Sequence, residues 1–349
     1  MSYQGWSDFR SDTVTRPTPE MYEAIRTAEL GDDVLGDEPT VQKLERTAAE
    51  MTGKEAALFV PSGTMGNTIA LFVHPTRARE VLLEEKCHIL QFEAGNIGTL
   101  IGAVPHPLPS RRGLIDMKEL QAGYKAPGNM HVAPTAGICL ENTHNYHGGA
   151  VLPISYLREV HSFAREKGLF MHLDGARMFN AAVSLGVDVT EITACFDTVM
   201  FCLSKGLASP VGSMLVGSKE FIAMARFARK QFGGALRQSG ILAACGLVSL
   251  QTMTRKLTDD HRRAQTFAQA IAKIPGLDIS PVEVESNIVI FTVRKEGWSN
   301  DRLCGEMKKE KVLALTFGPG RVRMIVHKDI DDADINRAVE SLRTILGHF

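Results

Sequence analysis

The pattern that most restricts the fold is a repeated alternation. Short apolar runs ("EVLLEE", "AVPHPLP", "AGICLEN", "LFMHLDGA" and "TVMFCLSKG") are separated by amphipathic stretches such as "SYLREVHSFAREKG". A short, continuously apolar run predicts a strand buried on both faces. Such strands alternating with helices predict a mostly parallel sheet covered by helices. Residues 217–256 read as helical, with "GILAACGLVSLQTM" strongly apolar, and the composition changes near "TRKLTDDHRR". From there the order reads helix, strand ("SNIVIFTV"), helix, strand ("KVLALTF"), strand ("RVRMIVH"), helix. In the last, Ile335, Val339 and Leu342 share one face. The expected architecture is α/β: a large domain over residues 1–256, with an N-terminal arm, and a smaller C-terminal α/β domain over 257–349.

Charge narrows the partners. The 349 residues carry a formal net charge of -1 and no basic stripe, which argues against nucleic acid and anionic membranes. No apolar run is long enough to cross a bilayer, and the start has no secretory pattern. The six cysteines are scattered without a C-x-x-C pair, so they read as small buried hydrophobes in a reducing cytoplasm.

Ligands of open α/β sheets sit beyond the C-terminal ends of the strands. Three polar groups fall at such ends. In "FVPSGTMGN" a strand gives way to Ser62-Gly63-Thr64 and then a helix, whose free N–H groups favour a phosphate; a plain helix cap has the same appearance. In "MHLDGARMFN" a buried strand delivers Asp174, either to cap or pair locally or to hold a cationic ring nitrogen. In "FCLSKGLASPVGSMLVG" an apolar run closes on Lys205, either an outward ammonium or a desolvated amine of lowered pKa that forms an imine. Ser204 can hydrogen-bond a phosphate, and Gly206 offers clearance. Phosphate cradle, acid for a ring nitrogen and lysine for an imine together describe pyridoxal phosphate binding.

The chain resembles the threonine aldolase family of pyridoxal-phosphate enzymes, of the aspartate-aminotransferase fold group (fold type I). The resemblance runs in order through "FRSDTVTRPT", "GDDVLGDEPTV", "GKEAALFVPSGTMGN", "ENTHN", "HLDGARMFNA", "FCLSKGLASPVGSMLVG", "LRQSGILAA" and "RVRMIVHKDI". It implies cleavage of L-threonine or L-allo-threonine to glycine and acetaldehyde, and a homotetramer built from dimers with shared active sites. It places the imine on Lys205, the ring-nitrogen partner on Asp174 and a ring stacked on the cofactor face at His88. Ser11, Arg177 and Arg323 become the substrate-carboxylate clamp. Gly63 and Thr64 hold the phosphate, beside Ser204, with Arg237 a further contact, and His144 lies near the substrate hydroxyl. The base that takes the hydroxyl proton is left open between His88, His144 and a water.

Two departures stand out, the first bearing on side-chain selectivity and the second a mild change beside the expected phosphate contact. Leu35 stands where the family has a tyrosine in D-D-V-Y-G, and "GGALRQ" replaces G-G-G-M-R-Q. The alternatives on the same frame are transamination and β-elimination; a fold kept without catalysis would have lost Lys205 or Asp174. His144 and His147 near Glu141 invite a zinc reading, but no third ligand stands at recognisable spacing, so no metal is expected.

Overall fold

The computed structural model describes Tyr3 and residues 5–347. The helices of eight or more residues are α1 (Pro19–Thr27), α2 (Pro39–Thr52), α3 (Gly63–Val73), α4 (Ile154–Lys167), α5 (Met178–Leu185), α6 (Lys219–Gln231), α7 (Gly240–Val248), α8 (Leu257–Ile271), α9 (Asn300–Lys309) and α10 (Asp332–Ile345). Their ends follow local chemistry. Pro19 and Pro39 open α1 and α2, where a missing N–H costs nothing. Gly53 closes α2 in the left-handed region (φ 63), a conformation that strains any residue with a Cβ.

The apolar runs become the strands of one sheet: β1 (Ala56–Val60), β2 (Glu80–Glu84), β3 (Val104–Leu108), β4 (Thr135–Glu141), β5 (Phe170–Asp174), β6 (Thr198–Cys202) and β7 (Ser213–Gly217). The order is β1-β7-β6-β5-β4-β2-β3. Only β7 runs antiparallel to its neighbours, because the turn after Lys205 folds it straight back beside β6. Both faces are covered, as the continuous apolar runs predict. Ala57, Phe59, Met171, Leu173, Val199 and Phe201 pack with α2, α4 and α7 on one side. Leu58, Val60, Met200 and Leu215 pack with α3 and α6 on the other.

A second, antiparallel sheet holds β8 (Leu277–Asp278), β9 (Ile288–Val293), β10 (Leu315–Thr316) and β11 (Arg321–Ile325), in the order β8-β9-β11-β10. Its apolar face packs on α8, α9 and α10. The single strand expected over "KVLALTF" is split. Leu315–Thr316 pairs with β11, while Val312–Leu313 turns to pair, in parallel, with Ser7–Asp8 near the N-terminus. Two partners on different sides cannot be served by one straight strand. The N-terminal arm is thus tied into the C-terminal layer, with Phe9 stacked on Phe267 at 5.5 Å between ring centroids. Among the described residues no helix is long and apolar enough to cross a membrane.

Candidate active site

Three neighbouring strands end in an acid. β5 ends on Asp174, β4 on Glu141 and β2 on Glu84, side by side in the sheet. β6 ends at Cys202, and the chain continues through Ser204 to Lys205. A cavity of about 250 Å³ opens at these ends, and Ser11, His88, Asp174, Arg177, Lys205 and Arg323 all face it. The fold therefore brings together six residues drawn from five separate stretches of sequence. Thr13, Phe92, Glu141, Asn145 and Phe317 complete much of the wall.

Asp174 is 2% exposed and fully engaged. Its Oδ1 accepts from the Ala176 amide at 3.1 Å, and its Oδ2 accepts from Asn67 Nδ2 at 2.9 Å. The same Nδ2 donates to Glu93 Oε1 at 2.8 Å. Two carboxylates facing one amide fix its orientation, so Asn67 Oδ1 must accept. It does so from His172 Nε2 at 3.0 Å, which leaves His172 Nδ1 to accept from the Thr198 hydroxyl at 2.9 Å. Thr198 Oγ1 in turn accepts from His74 Nε2 at 3.0 Å. Every link donates toward Asp174. Burial keeps both imidazoles neutral: His172 is pushed down to about 4, and His74 to about 3, where the neighbouring His172 imidazole further disfavours a second proton.

His88 opens a one-turn helix, and its amide donates to Glu141 Oε2 at 2.7 Å. Its Nδ1 lies 3.0 Å from Glu93 Oε1 and 4.0 Å from Asp174 Oδ2. Burial works against the imidazolium, but the Glu93 hydrogen bond and the charges of Asp174, Glu93 and Glu141 outweigh it and raise the His88 proton affinity.

The two arginines are not equivalent. Arg177 gives its fork to Asp12, Nε to Oδ2 at 2.8 Å and Nη2 to Oδ1 at 2.7 Å, with both side chains buried. Burial pushes the Asp12 carboxyl up, but Arg177, with Lys205 and His327 adding charge, holds it well below the usual range. Arg323 donates from Nη1 to Asn145 Oδ1 at 3.0 Å, and its buried Nε has no partner among the described residues. Burial, with the Arg177 charge behind it, pushes the Arg323 guanidinium down to about 10. Of the two arginines, it is the one with spare donors at the cavity.

The remaining expectations divide. Gly63 and Thr64 begin α3, one turn before Asn67, at the Asp174 end of the sheet. Ser62 takes the Met65 amide at 3.2 Å and the Gly66 amide at 3.1 Å, leaving the Gly63 and Thr64 amides without a partner among the described residues. Free amides at a helix start suit an anion, though neither residue is part of the cavity wall. Ser204, two residues beyond the strand end, is half-buried, and it stands outside the cavity wall. Gly206 gives clearance to something else: a Cβ there would meet Leu257 Cδ2 at 3.0 Å, so its missing side chain admits α8. Arg237 is exposed, pairs with Asp32 at 3.1 Å and does not reach the cavity. Leu35 is 76% exposed, also away from it. His144 is buried behind the wall, its Nε2 3.0 Å from Glu84 Oε2 and 3.9 Å from Glu141 Oε2. Burial opposes its protonation, and Glu141 and Glu84 more than reverse that.

Sequence reasoning missed Asp12, Asn67, Glu93 and Asn145. Glu84 could have been found, and Glu141, noted only beside the histidine pair, could have been placed at the cavity, since each closes an apolar run as Asp174 does. Asn67 and Glu93 carry no such signal.

The model of the beta-eliminating lyase family matches residues 8–294. A probable low-specificity L-threonine aldolase 2 of Arabidopsis thaliana is 42% identical over 342 residues, covering 97% of this chain and 96% of its own. This chain belongs to the threonine aldolase family. The low specificity L-threonine aldolase of Escherichia coli (strain K12) is 40% identical, with 97% of this chain and 99% of its own covered. Among solved structures, a Leishmania major threonine aldolase superposes with a TM-score of 0.84 at 19% identity, over 97% of this chain and 99% of its own. That structural likeness shows the fold type I frame common to this family.

Proposed function

We propose that this chain binds pyridoxal phosphate and cleaves L-threonine and L-allo-threonine to glycine and acetaldehyde. The observation that carries the reading is the meeting of Lys205, Asp174 and Arg323 on one cavity. The family relationship supports it: the relatives above are named as threonine aldolases. The charges suit the cofactor group by group. The free amides at Gly63 and Thr64 match a phosphate, Asp174 a cationic ring nitrogen, and Lys205 an aldehyde carbon. Ser204, half-buried next to Lys205, offers a hydroxyl for the phosphate although it does not line the cavity.

When bound, the pyridoxal group supplies the electron sink that permits cleavage at the substrate Cα. The protein residues do the rest. Arg323 offers its unpartnered donors to the substrate carboxylate, while Arg177, locked by Asp12, supports it as a fixed charge. Ser11 adds a hydroxyl on the same wall. Anchoring the carboxylate sets which Cα bond stands perpendicular to the ring, and aldol cleavage needs that to be Cα–Cβ. His88, on the cavity wall and of raised proton affinity, is the imidazole placed to handle the β-hydroxyl proton. His144 acts on the cavity only through Glu141.

Assembly into a homotetramer with shared sites fits two otherwise idle features: the exposed Leu35 loop, and Arg237, which serves no group of its own cavity. The unpaired cysteines fit a cytoplasmic location. The test is to incubate the protein with pyridoxal phosphate and L-threonine, L-allo-threonine or their D-forms, and to quantify products. Equimolar acetaldehyde and glycine from the L-forms are expected. An oxo acid without aldehyde would establish transamination or elimination instead.

A further inference from the structure

Beside the cavity, on the far side of Glu141, lies a second cluster that does not line it. Glu84 closes β2, His144 and His147 lie on the loop after β4, and Ser110 follows β3. The sheet order β4-β2-β3 brings the three segments together. We propose that Glu84, His144 and His147, with Ser110, form a binding site for one Zn²⁺ ion.

The geometry is that of a ligand shell. Glu84 Oε2 lies 3.0 Å from His144 Nε2, and Oε1 lies 3.2 Å from His147 Nε2. Ser110 Oγ stands 2.8 Å from Glu84 Oε1 and 3.4 Å from His147 Nε2. One ligand atom from each of Glu84, His144 and His147 falls within 4.8 Å of the others. Ligands about 2.0–2.1 Å from a tetrahedral zinc are about 3.3 Å apart, so small shifts suffice to admit the ion. Two imidazoles and a carboxylate leave a fourth position for the Ser110 hydroxyl or a water. That donor set suits a borderline cation; magnesium and calcium prefer shells of oxygen.

Burial supports the same assignment. Glu84 and His144 are buried, whereas His147 is half-buried and gives the ion a way in. A divalent cation neutralises the buried carboxylate while both imidazoles bind uncharged. The other group of similar type, His88 with Glu93 and Asp174, belongs to the reaction cavity, and its carboxylates are already held by Asn67. The spacing H-x-x-H was visible in the sequence; the third ligand comes from a strand 60 positions before His144.

The experiment is equilibrium dialysis of the full chain, stripped with a chelator and then exchanged into chelator-free buffer, against ZnCl₂, with metal per chain read by atomic absorption. One zinc per chain is expected, with no comparable uptake of MgCl₂. His147→Ala and Glu84→Gln should each weaken zinc binding by more than about tenfold. Because His147 is on a loop and half-buried, His147→Ala decides the matter even if Glu84→Gln fails to fold. Absence of stoichiometric zinc in the wild type, or unchanged binding in folded His147→Ala, overturns the proposal: the cluster is then a set of hydrogen bonds only. The readout is metal content, so it stands or falls separately from the aldolase reaction.

Discussion

At the scale of the residue, the clearest division of labour is between two arginines that look alike in sequence. Arg177 and Arg323 both read as carboxylate forks, yet Arg177 is spent on Asp12 and Arg323 keeps spare donors at the cavity. Arg323→Ala should therefore raise KM for L-threonine about 10- to 100-fold, the equivalent of a charge-assisted hydrogen bond of about 1.5–3 kcal/mol, with little effect on cofactor affinity. Steady-state kinetics and a cofactor titration check both halves. Asp12→Asn should cost stability, about 3–5 kcal/mol at pH 7, because it strands the buried Arg177 charge. The sign with pH follows from the lowered Asp12 carboxyl. Its contribution is fully present above the unfolded value of about 3.9 and drains away as pH falls below it. Urea midpoints of the two proteins should differ widely at pH 7 and converge toward pH 2. Asp12 escaped sequence reading because it sits beside Ser11 in an irregular arm, where no periodicity marks a buried position.

At the scale of the element, strand ends were the readable feature and helix faces were not. Apolar runs closing on polar residues pointed to Asp174 and Lys205, and the same rule applied to every run would have reached Glu84 and Glu141. The partner of Asp174 could not be read that way. Asn67 lies on α3 and His74 caps its C-terminal end, and they meet Asp174, His172 and Thr198 only when the helix lies across β5 and β6. This line of donors predicts that His172→Leu frees the Asn67 amide to turn, taking one donor from each of two carboxylates. Cofactor affinity should fall about five- to tenfold and stability by about 1–3 kcal/mol. Thr198→Val, one link further away, should do less. Cofactor dialysis and thermal melting of both variants test the gradient, and equal effects would contradict it. Gly206 is the matching correction: a small residue beside a lysine suggested room for a ligand, but what it admits is Leu257 of the following layer.

At the scale of the whole molecule, the alternation of apolar runs and helices carried the sheet and its burial on both faces, because those depend on local composition. The direction of β7 and the split of "KVLALTF" depend on which distant segment arrives as partner, and no local pattern records that. The N-terminal arm shows the consequence. Phe9 packs on Phe267 in the C-terminal core, its amide donates to Leu313 O at 2.9 Å, and its carbonyl accepts from Ile325 at 2.8 Å. Two residues later the arm delivers Ser11 to the cavity, and then Asp12 to Arg177 behind the wall. Phe9→Ala should thus cost about 3–5 kcal/mol of stability and also raise KM for L-threonine, since the arm positions Asp12 under Arg177. A loss of stability with unchanged KM would separate the two roles. All of this converges on Lys205 as the residue that holds the cofactor. The direct measurement is borohydride reduction of the protein incubated with pyridoxal phosphate, followed by peptide mass spectrometry. A single phosphopyridoxyl group on Lys205, absent from Lys205→Ala, is the expected result; modification of another lysine, or none, would contradict it.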